Sequence, residues 1–483
     1  MAQRAQLARL LVALAAFSCL SNALPSKCIR GLLVLNTQSD IDVLWDCAET
    51  SYVNNIPLGS ETFKGDVMVG PNITGTFTLA NYGRVNGSAI AENNPALEKI
   101  VLLETKGYLG QMFNALIVRN IPQLKSFVLE KYSPGVLQSN VSFHNLPTLE
   151  DLDVGPLVSV RRIDLVNLPR LTYLTETKRE VVPFLPPGPR HLNIDNVGFF
   201  SIDGFFETTW CSGDRNTPLS TYRARGLPNV YNLTFSLAGA DSVEIQGNGQ
   251  LAMSIQNGEG TCGITPSEFS MEFGNLLVSG LSELSRYWRH DTSFRSKRQE
   301  VGSLRLGNFT AVANNFTSLS LDFEGLRGLH VVDNPKLDTL LFRLDAAAQY
   351  DWTNIVITGN PLLKLNSTVS TQSSNRTLVP SLIWPARDTS SMVFEGSFDN
   401  AFFQPFIDLG TDKAKRPRVL KKFSVTSSQP LNCSKLNELR KLGVLKGEYS
   451  CQGQTVADES RAGRDIGLGI GSALTIAAIL WGL

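Results

Sequence analysis

Four carboxylates in neighbouring segments have the clearest capacity for chemistry: Glu150, Asp151 and Asp153, then Asp164. Cleavage of a glycosidic bond needs two carboxyl groups held about 5–9 Å apart, one to protonate the leaving oxygen and one to attack or activate water. The plainer alternative is that these residues fill the polar positions of alternating strands, where outward carboxylates are common, and that reading is preferred. Only four histidines are present, His144, His191, His290 and His330, and they lie in separate segments. Acid–base and metal schemes are therefore poorly supplied, and no G-x-S-x-G, H-E-x-x-H or P-loop pattern occurs. The sequence gives no reason to expect a catalytic residue, a cofactor or a metal.

Two basic stretches could meet anions. Arg286, Arg289, His290, Arg295, Lys297 and Arg298 form the first, and Lys413, Lys415, Arg416, Arg418, Lys421 and Lys422 the second. Anionic polymers or lipid headgroups would suit either, although a solvated loop is the simpler reading. The chain of 483 residues has 44 basic and 44 acidic side chains, so no global field favours nucleic acid. Paired aromatics at Phe199-Phe200, Phe205-Phe206 and Phe402-Phe403 read as core stacking, with one ring of a pair available for sugar contact.

The cysteines speak of an oxidising compartment. Cys19 lies in an N-terminal segment that begins with Arg4 and Arg9, continues through apolar residues 10–20 and ends in Ser21-Asn22-Ala23. That order is a secretory signal peptide, 1–23, cut after Ala23. Six cysteines remain, and an even number in a secreted chain favours disulfides. Six allow fifteen connectivities, and clustering suggests Cys28–Cys47, Cys211–Cys262 and Cys433–Cys451. Nine N-x-S/T sequons, at Asn72, Asn86, Asn140, Asn232, Asn308, Asn315, Asn366, Asn375 and Asn432, predict a heavily glycosylated surface. At the other end a polar spacer, 453–465, precedes an uncharged apolar tail, 466–483, with no basic residue after it. A small attachment residue, a spacer and a terminal apolar tail form a GPI transfer signal whose tail is removed; the attachment candidates are Ser460, Asp458 and Gly453. The expected partner is then the GPI lipid in the outer leaflet of the plasma membrane.

What must position these residues is a repeat. Ala115-Leu-Ile-Val-Arg-Asn120-Ile-Pro122, Val141-Ser-Phe-His-Asn145-Leu-Pro147 and Ile163-Asp-Leu-Val-Asn167-Leu-Pro169 share one pattern. Asn94-Pro95, Asn334-Pro335 and Asn360-Pro361 continue it. Prolines 95, 122, 147 and 169 are separated by 27, 25 and 22 residues, a solenoid period. Each unit offers one alternating strand that buries a face only by stacking on its neighbours. Proline, which cannot donate within the ladder, falls at the strand end, and the preceding asparagine satisfies turn groups. Weaker units at Leu192, Val243, Leu277, Leu304 and Leu319 are expected to join the same sheet, with few helices between. The expected class is an all-β-rich solenoid over 63–430. Its ends are an N-terminal cap, 24–62, and a disulfide cap, 431–452, with a Pro-rich loop near 183–190 splitting two halves.

With these pieces assembled, the chain resembles the fungal GPI-anchored cell-wall organisation proteins built on receptor L-domain-like, leucine-rich-repeat-like units. The likeness rests on Gly65-Asp66-Val67-Met68-Val69 after the first disulfide, on the Asn-Pro-x-Leu units, and on Cys433-Ser434 with Gly447-Glu-Tyr449-Ser-Cys451 before the anchor signal. It implies a right-handed parallel β-helix with disulfide-bonded caps. It also implies a non-enzymatic glycoprotein of plasma membrane and cell wall, needed for wall organisation and integrity, with wall polysaccharide as a possible contact. One departure is the stalk: only about a dozen residues separate Cys451 from the tail, too few to carry the solenoid far from a membrane. Receptor or adhesin action on a glycan or peptide, and a polysaccharide-active enzyme, are the alternatives.

Overall fold

The computed structural model describes residues 26–50, 52–53, 56–57, 63–80, 85–103, 113–130, 140–153, 161–172, 191–202, 221–235, 239–256, 271–287, 304–343, 350–365, 371–373, 376–414 and 416–454. The signal segment, Cys211, Cys262, Asn366, Asn375, Asp458, Ser460 and the Pro-rich stretch lie outside them.

The dominant feature is one 18-stranded sheet. Its main strands pair in parallel, each with the main strand of the next coil, from Ile29–Leu35 to Glu448–Gln454. Successive rungs are separated by 20 residues (Phe309 opposite Leu329) to 37 (Ile355 opposite Met392). The strands form because apolar residues recur at every second position and so share one side of the pleat. Register then stacks like on like. Val141, Ile163, Leu192, Tyr222 and Val243 lie opposite one another in a buried column. Where that column widens to Tyr222, its neighbour toward the strand end is only Ala224, which keeps the layer filled. Such a stack of parallel rungs is consistent with a β-solenoid.

After each main strand the chain turns, and in most coils a short second strand follows. Gly75–Ala80, Leu97–Leu103, Ser126–Glu130 and Asp151–Asp153 form a four-stranded parallel sheet. Ser318–Leu321 and Thr339–Arg343 occupy the equivalent place further along. Leu319, expected in the main sheet, therefore belongs to the second one. Its alternation is the same, but it follows the corner at Ala313–Asn314 instead of preceding one.

The corners separate two kinds of asparagine that look alike in sequence. Asn93, Asn120, Asn145, Asn167 and Asn196 sit in left-handed backbone with φ of 53–58°. Their amides point to solvent and form a ladder: Asn120 donates to Asn93, Asn145 to Asn120, Asn167 to Asn145 and Asn196 to Asn167, at 2.8–3.2 Å. Asparagine tolerates this conformation better than any residue but glycine, and Gly226 takes the same position in the next coil with φ 56°. Asn94, Asn314, Asn334 and Asn360 sit one residue later and are buried. These satisfy backbone groups inside the corner: Asn360 Nδ2 donates to the Val331 and Thr358 carbonyls at 2.8 Å, and its Oδ1 accepts from the Asn334 N–H at 3.0 Å.

Among the described residues three α-helices stand at the two ends. α1, Gln38–Thr50, is tied to the chain start by Cys28–Cys47 and by the Lys27–Asp46 ion pair. The Thr37 hydroxyl donates to Asp40, as do the backbone N–H groups of Asn36 and Thr37, and these bonds hold its carboxyl below the usual range. α2, Asn400–Thr411, and α3, Ser434–Lys441, take the place of the second strand in the last complete coils. Asp399 caps α2 by accepting from the Phe402 N–H at 2.9 Å. Between helix and sheet lies an aromatic cluster in which Trp384 meets Phe394, Phe402, Phe403 and Phe406 at centroid distances of 5.1–5.8 Å. Both Phe402 and Phe403 are buried, so neither ring is free for sugar; of the Phe199-Phe200 pair, Phe200 is 64% exposed.

Cys433–Cys451 joins the start of α3 to the last strand across 18 residues. Changing both to serine is expected to cost about 2–3 kcal/mol through the freed unfolded chain. Urea unfolding followed by fluorescence would measure it, and a loss under about 0.5 kcal/mol would show that the cap is held by packing alone.

Candidate functional site

The carboxylates singled out in sequence are not brought together. Asp151 and Asp153 stand on the short second strand that Glu150 precedes, whereas Asp164 belongs to the main sheet. Glu150 is exposed and faces Arg170 at 3.4 Å, and Asp151 accepts from the Ser126 hydroxyl at 2.9 Å. Three residues of the second basic stretch are engaged. Arg418 pairs with Asp388, Lys422 with Glu448 at 3.7 Å, and Arg416 donates to the Leu442 carbonyl at 3.4 Å. Only part of the first stretch is described. Among the described residues no His, Cys, Asp or Glu group is arranged to hold a metal, and no helix is long and apolar enough to cross a membrane.

The structure instead assembles a polar patch on the outward face of the main sheet. It follows from alternation: in consecutive rungs the outward positions are Arg162 and Asp164, then Asn193 and Asp195, then Arg223 and Arg225, then Glu244. Parallel register places Ser142, Asp164, Asn193, Arg223 and Glu244 in one column. Asp164 accepts from Arg162 at 2.5 and 3.2 Å and from Asn193 Nδ2 at 3.4 Å. Glu244 accepts from Arg223 at 2.9 Å and from Arg225 at 2.7 Å. His191 and Thr221 share a hydrogen bond of 2.8 Å, and Arg119 pairs with Glu92 on the N-terminal side.

Two atoms in this patch lack partners. Among the described residues four buried side-chain polar atoms have none, and two of them, His144 Nε2 and Asn193 Oδ1, lie on either side of the Arg162–Leu168 strand. An orphaned buried group costs about 1–3 kcal/mol, so two within one patch call for a reason. Burial also lowers the His144 pKa, against the pull of Asp164, and Arg119 and Arg162 push the same way as burial. Burial lowers His330, on the same face, as well.

The sign of the pH effect follows. The unfolded chain binds these protons near the ordinary value of 6.5 and the folded chain only at lower pH. Stability is thus complete above about pH 6.5 and falls as pH drops below it. Denaturation midpoints at pH 7.5 and 5.5 are expected to show that loss, reduced in a His144→Gln, His330→Gln variant. An equal loss in the variant would assign it to other groups.

Sequence reasoning places His144 and His191 in separate segments, as strand or loop residues and not ligands, and does not single out Asn193, Arg223 or Glu244. The signal was present in the charged pairs two residues apart on successive units. Reading it required the register. Compared with protein-family models, with curated proteins and with solved structures, the chain matches none.

Proposed function

We propose that this chain is a non-enzymatic, GPI-anchored cell-surface glycoprotein whose receptor L-domain-like, right-handed solenoid serves cell-wall organisation and integrity. The observation that supports it best is the unbroken parallel stack with a disulfide-tied cap at each end. Such a body is suited to standing outside a cell as a stiff module and, in the patch, Asp164 and Glu244 are spent on arginine and amide partners. Sequons at Asn72, Asn140, Asn232, Asn308 and Asn432 fall on exposed residues, while Asn86 and Asn315 are half-buried. The last strand runs to Gln454 and includes Gly453, where a side chain would lie 2.5 Å from Leu431 Cβ. A transamidase needs an accessible chain, which counts against Gly453 as the lipid attachment site.

Treatment of intact cells with a phosphoinositide-specific phospholipase is expected to release the protein; retention in the membrane would remove the anchor from the proposal. Deleting the gene is expected to sensitise cells to wall-perturbing dyes, and an unchanged wall would remove the wall role. A second reading, a receptor or adhesin, is favoured by the unsatisfied atoms of the patch. It would show as ligand binding without turnover.

A further inference from the structure

We propose that the outward sheet face from the Ala115–Arg119 strand to the start of the Gly239–Gln256 strand binds a neutral, hydroxyl-rich glycan chain. This adds a ligand class and a location to the surface-glycoprotein reading, on which it rests only for where such a ligand would be met.

Charge argues for neutrality. Arg119, Arg162, Arg223 and Arg225 stand against Glu92, Asp164, Asp195 and Glu244, and every one of these arginines is paired with a carboxylate. A patch so balanced gives no net attraction to a polyanion or a polycation. It is nevertheless dense in hydrogen-bonding groups, which is what selects among neutral ligands.

The orphaned atoms argue for hydroxyls. Asn193 Oδ1 can only accept, and Nε2 of a neutral imidazole donates or accepts according to tautomer. A hydroxyl both donates and accepts, so one type of ligand group satisfies both atoms whichever tautomer is present. Satisfying them also recovers free energy that the unliganded protein forgoes, which makes binding more favourable there than at an ordinary polar surface. Both atoms are closed to solvent in this conformation, so a ligand must turn a side chain aside. Arg119 and Arg162, each with a half-exposed side chain and each acting on His144, are the movable neighbours.

Spacing argues for a chain. Adjacent strands present equivalent outward positions about every 4.8 Å. A polymer laid across the rungs meets a polar column running Ser142, Asp164, Asn193, Arg223 and Glu244. The sequon residue Asn140 is exposed and lies opposite Arg162, so a sugar there would stand at the margin of the patch.

The test is calorimetric titration of the secreted glycoprotein carrying Asn140→Gln with linear glucan and mannan oligosaccharides, and with heparin and chitosan oligomers for comparison. Saturable binding of a neutral oligosaccharide is expected, weakened roughly tenfold by Asn193→Leu or His144→Phe, as the loss of one hydrogen bond implies. Ser142→Trp fills the patch without removing any of these partners and should abolish binding while the thermal unfolding midpoint stays within a few degrees; it decides the matter if the other variants fold poorly. Thr358→Ala, on the same face several rungs away, should bind as the parent does. Absence of neutral-glycan binding, tighter binding of heparin or chitosan, or full binding by Ser142→Trp would overturn the proposal. Glycan binding by a protein whose deletion leaves the wall intact would sink the wall role and leave this inference standing. A weakened wall with no glycan binding would do the reverse.

Discussion

Replacing Asn334 with leucine is expected to lower the unfolding free energy by about 3–5 kcal/mol, although the two side chains are similar in size. Asn334 is fully buried at a corner. Its Oδ1 accepts from the Asn314 N–H at 2.9 Å and from Asn314 Nδ2 at 3.0 Å. Its Nδ2 donates to the Ala311 and Val332 carbonyls at 3.2 and 3.0 Å and to Asn360 Oδ1 at 3.0 Å. Leucine strands the buried Asn314 N–H and leaves Asn314 Nδ2 only the Val278 carbonyl, with no water to replace the lost partner. Asn360 keeps the Asn334 N–H as a donor, which limits the damage on that side. Asn145→Gly in the outer ladder is the contrast. It loses two exposed amide contacts, to Asn120 and from Asn167, and relaxes a left-handed backbone, so its cost should stay under about 1 kcal/mol. Urea unfolding of the two variants measures both. If Asn334→Leu falls within about 1 kcal/mol of the parent, the inner asparagines are not what satisfies the corner.

Truncating Phe394 to alanine should cost about 3–5 kcal/mol, and the loss should be local. The ring is buried against Trp384, Phe398, Phe402, Phe403 and Phe423. Removing it opens a cavity between the main sheet and α2 that rings of fixed shape cannot close. Because each coil touches mainly the next, the damage should fall on residues 389–454 and spare the Val141–Leu165 coils. Hydrogen exchange followed by mass spectrometry separates the regions. Uniformly raised exchange would mean that the stack melts as one unit.

The main strands were legible in the sequence because their alternation is strict and their corner residues recur. Val141 and Phe143, Ile163 and Leu165, Val331, Ile355 and Ile357 all face inward as the pattern requires. The second strands were harder to place: Asp151–Asp153 has only three residues, and Ser318–Leu321 alternates just as a main strand does, so only the corner before it tells the two sheets apart. α2 was hidden by composition: Asn400–Thr411 carries three phenylalanines, a glycine and an internal proline, and its stability comes from burial against Trp384. The two asparagine classes are separable in hindsight by one residue. Asn-Pro marks the buried kind at 94, 334 and 360, and Asn-x-Pro the exposed kind at 120, 145 and 167. The patch was the least legible part. Its members come from strands 19 to 30 residues apart in sequence, and only the inter-strand register says which of them share a column.

The disulfide at the C-terminal end has a mechanical consequence. Any load applied to the chain beyond Gln454 pulls first on the final strand, whose parallel hydrogen bonds could otherwise be unzipped one after another. Cys451 sits three residues from the end of that strand and is bonded to Cys433 at the start of α3. Peeling therefore stops after three residues, and tension passes through a covalent link into α3, whose Leu439 packs on Gly410 of α2. The final coil then works as a strain relief, spreading force over a helix pair and its aromatic bed before any rung behind it is stressed.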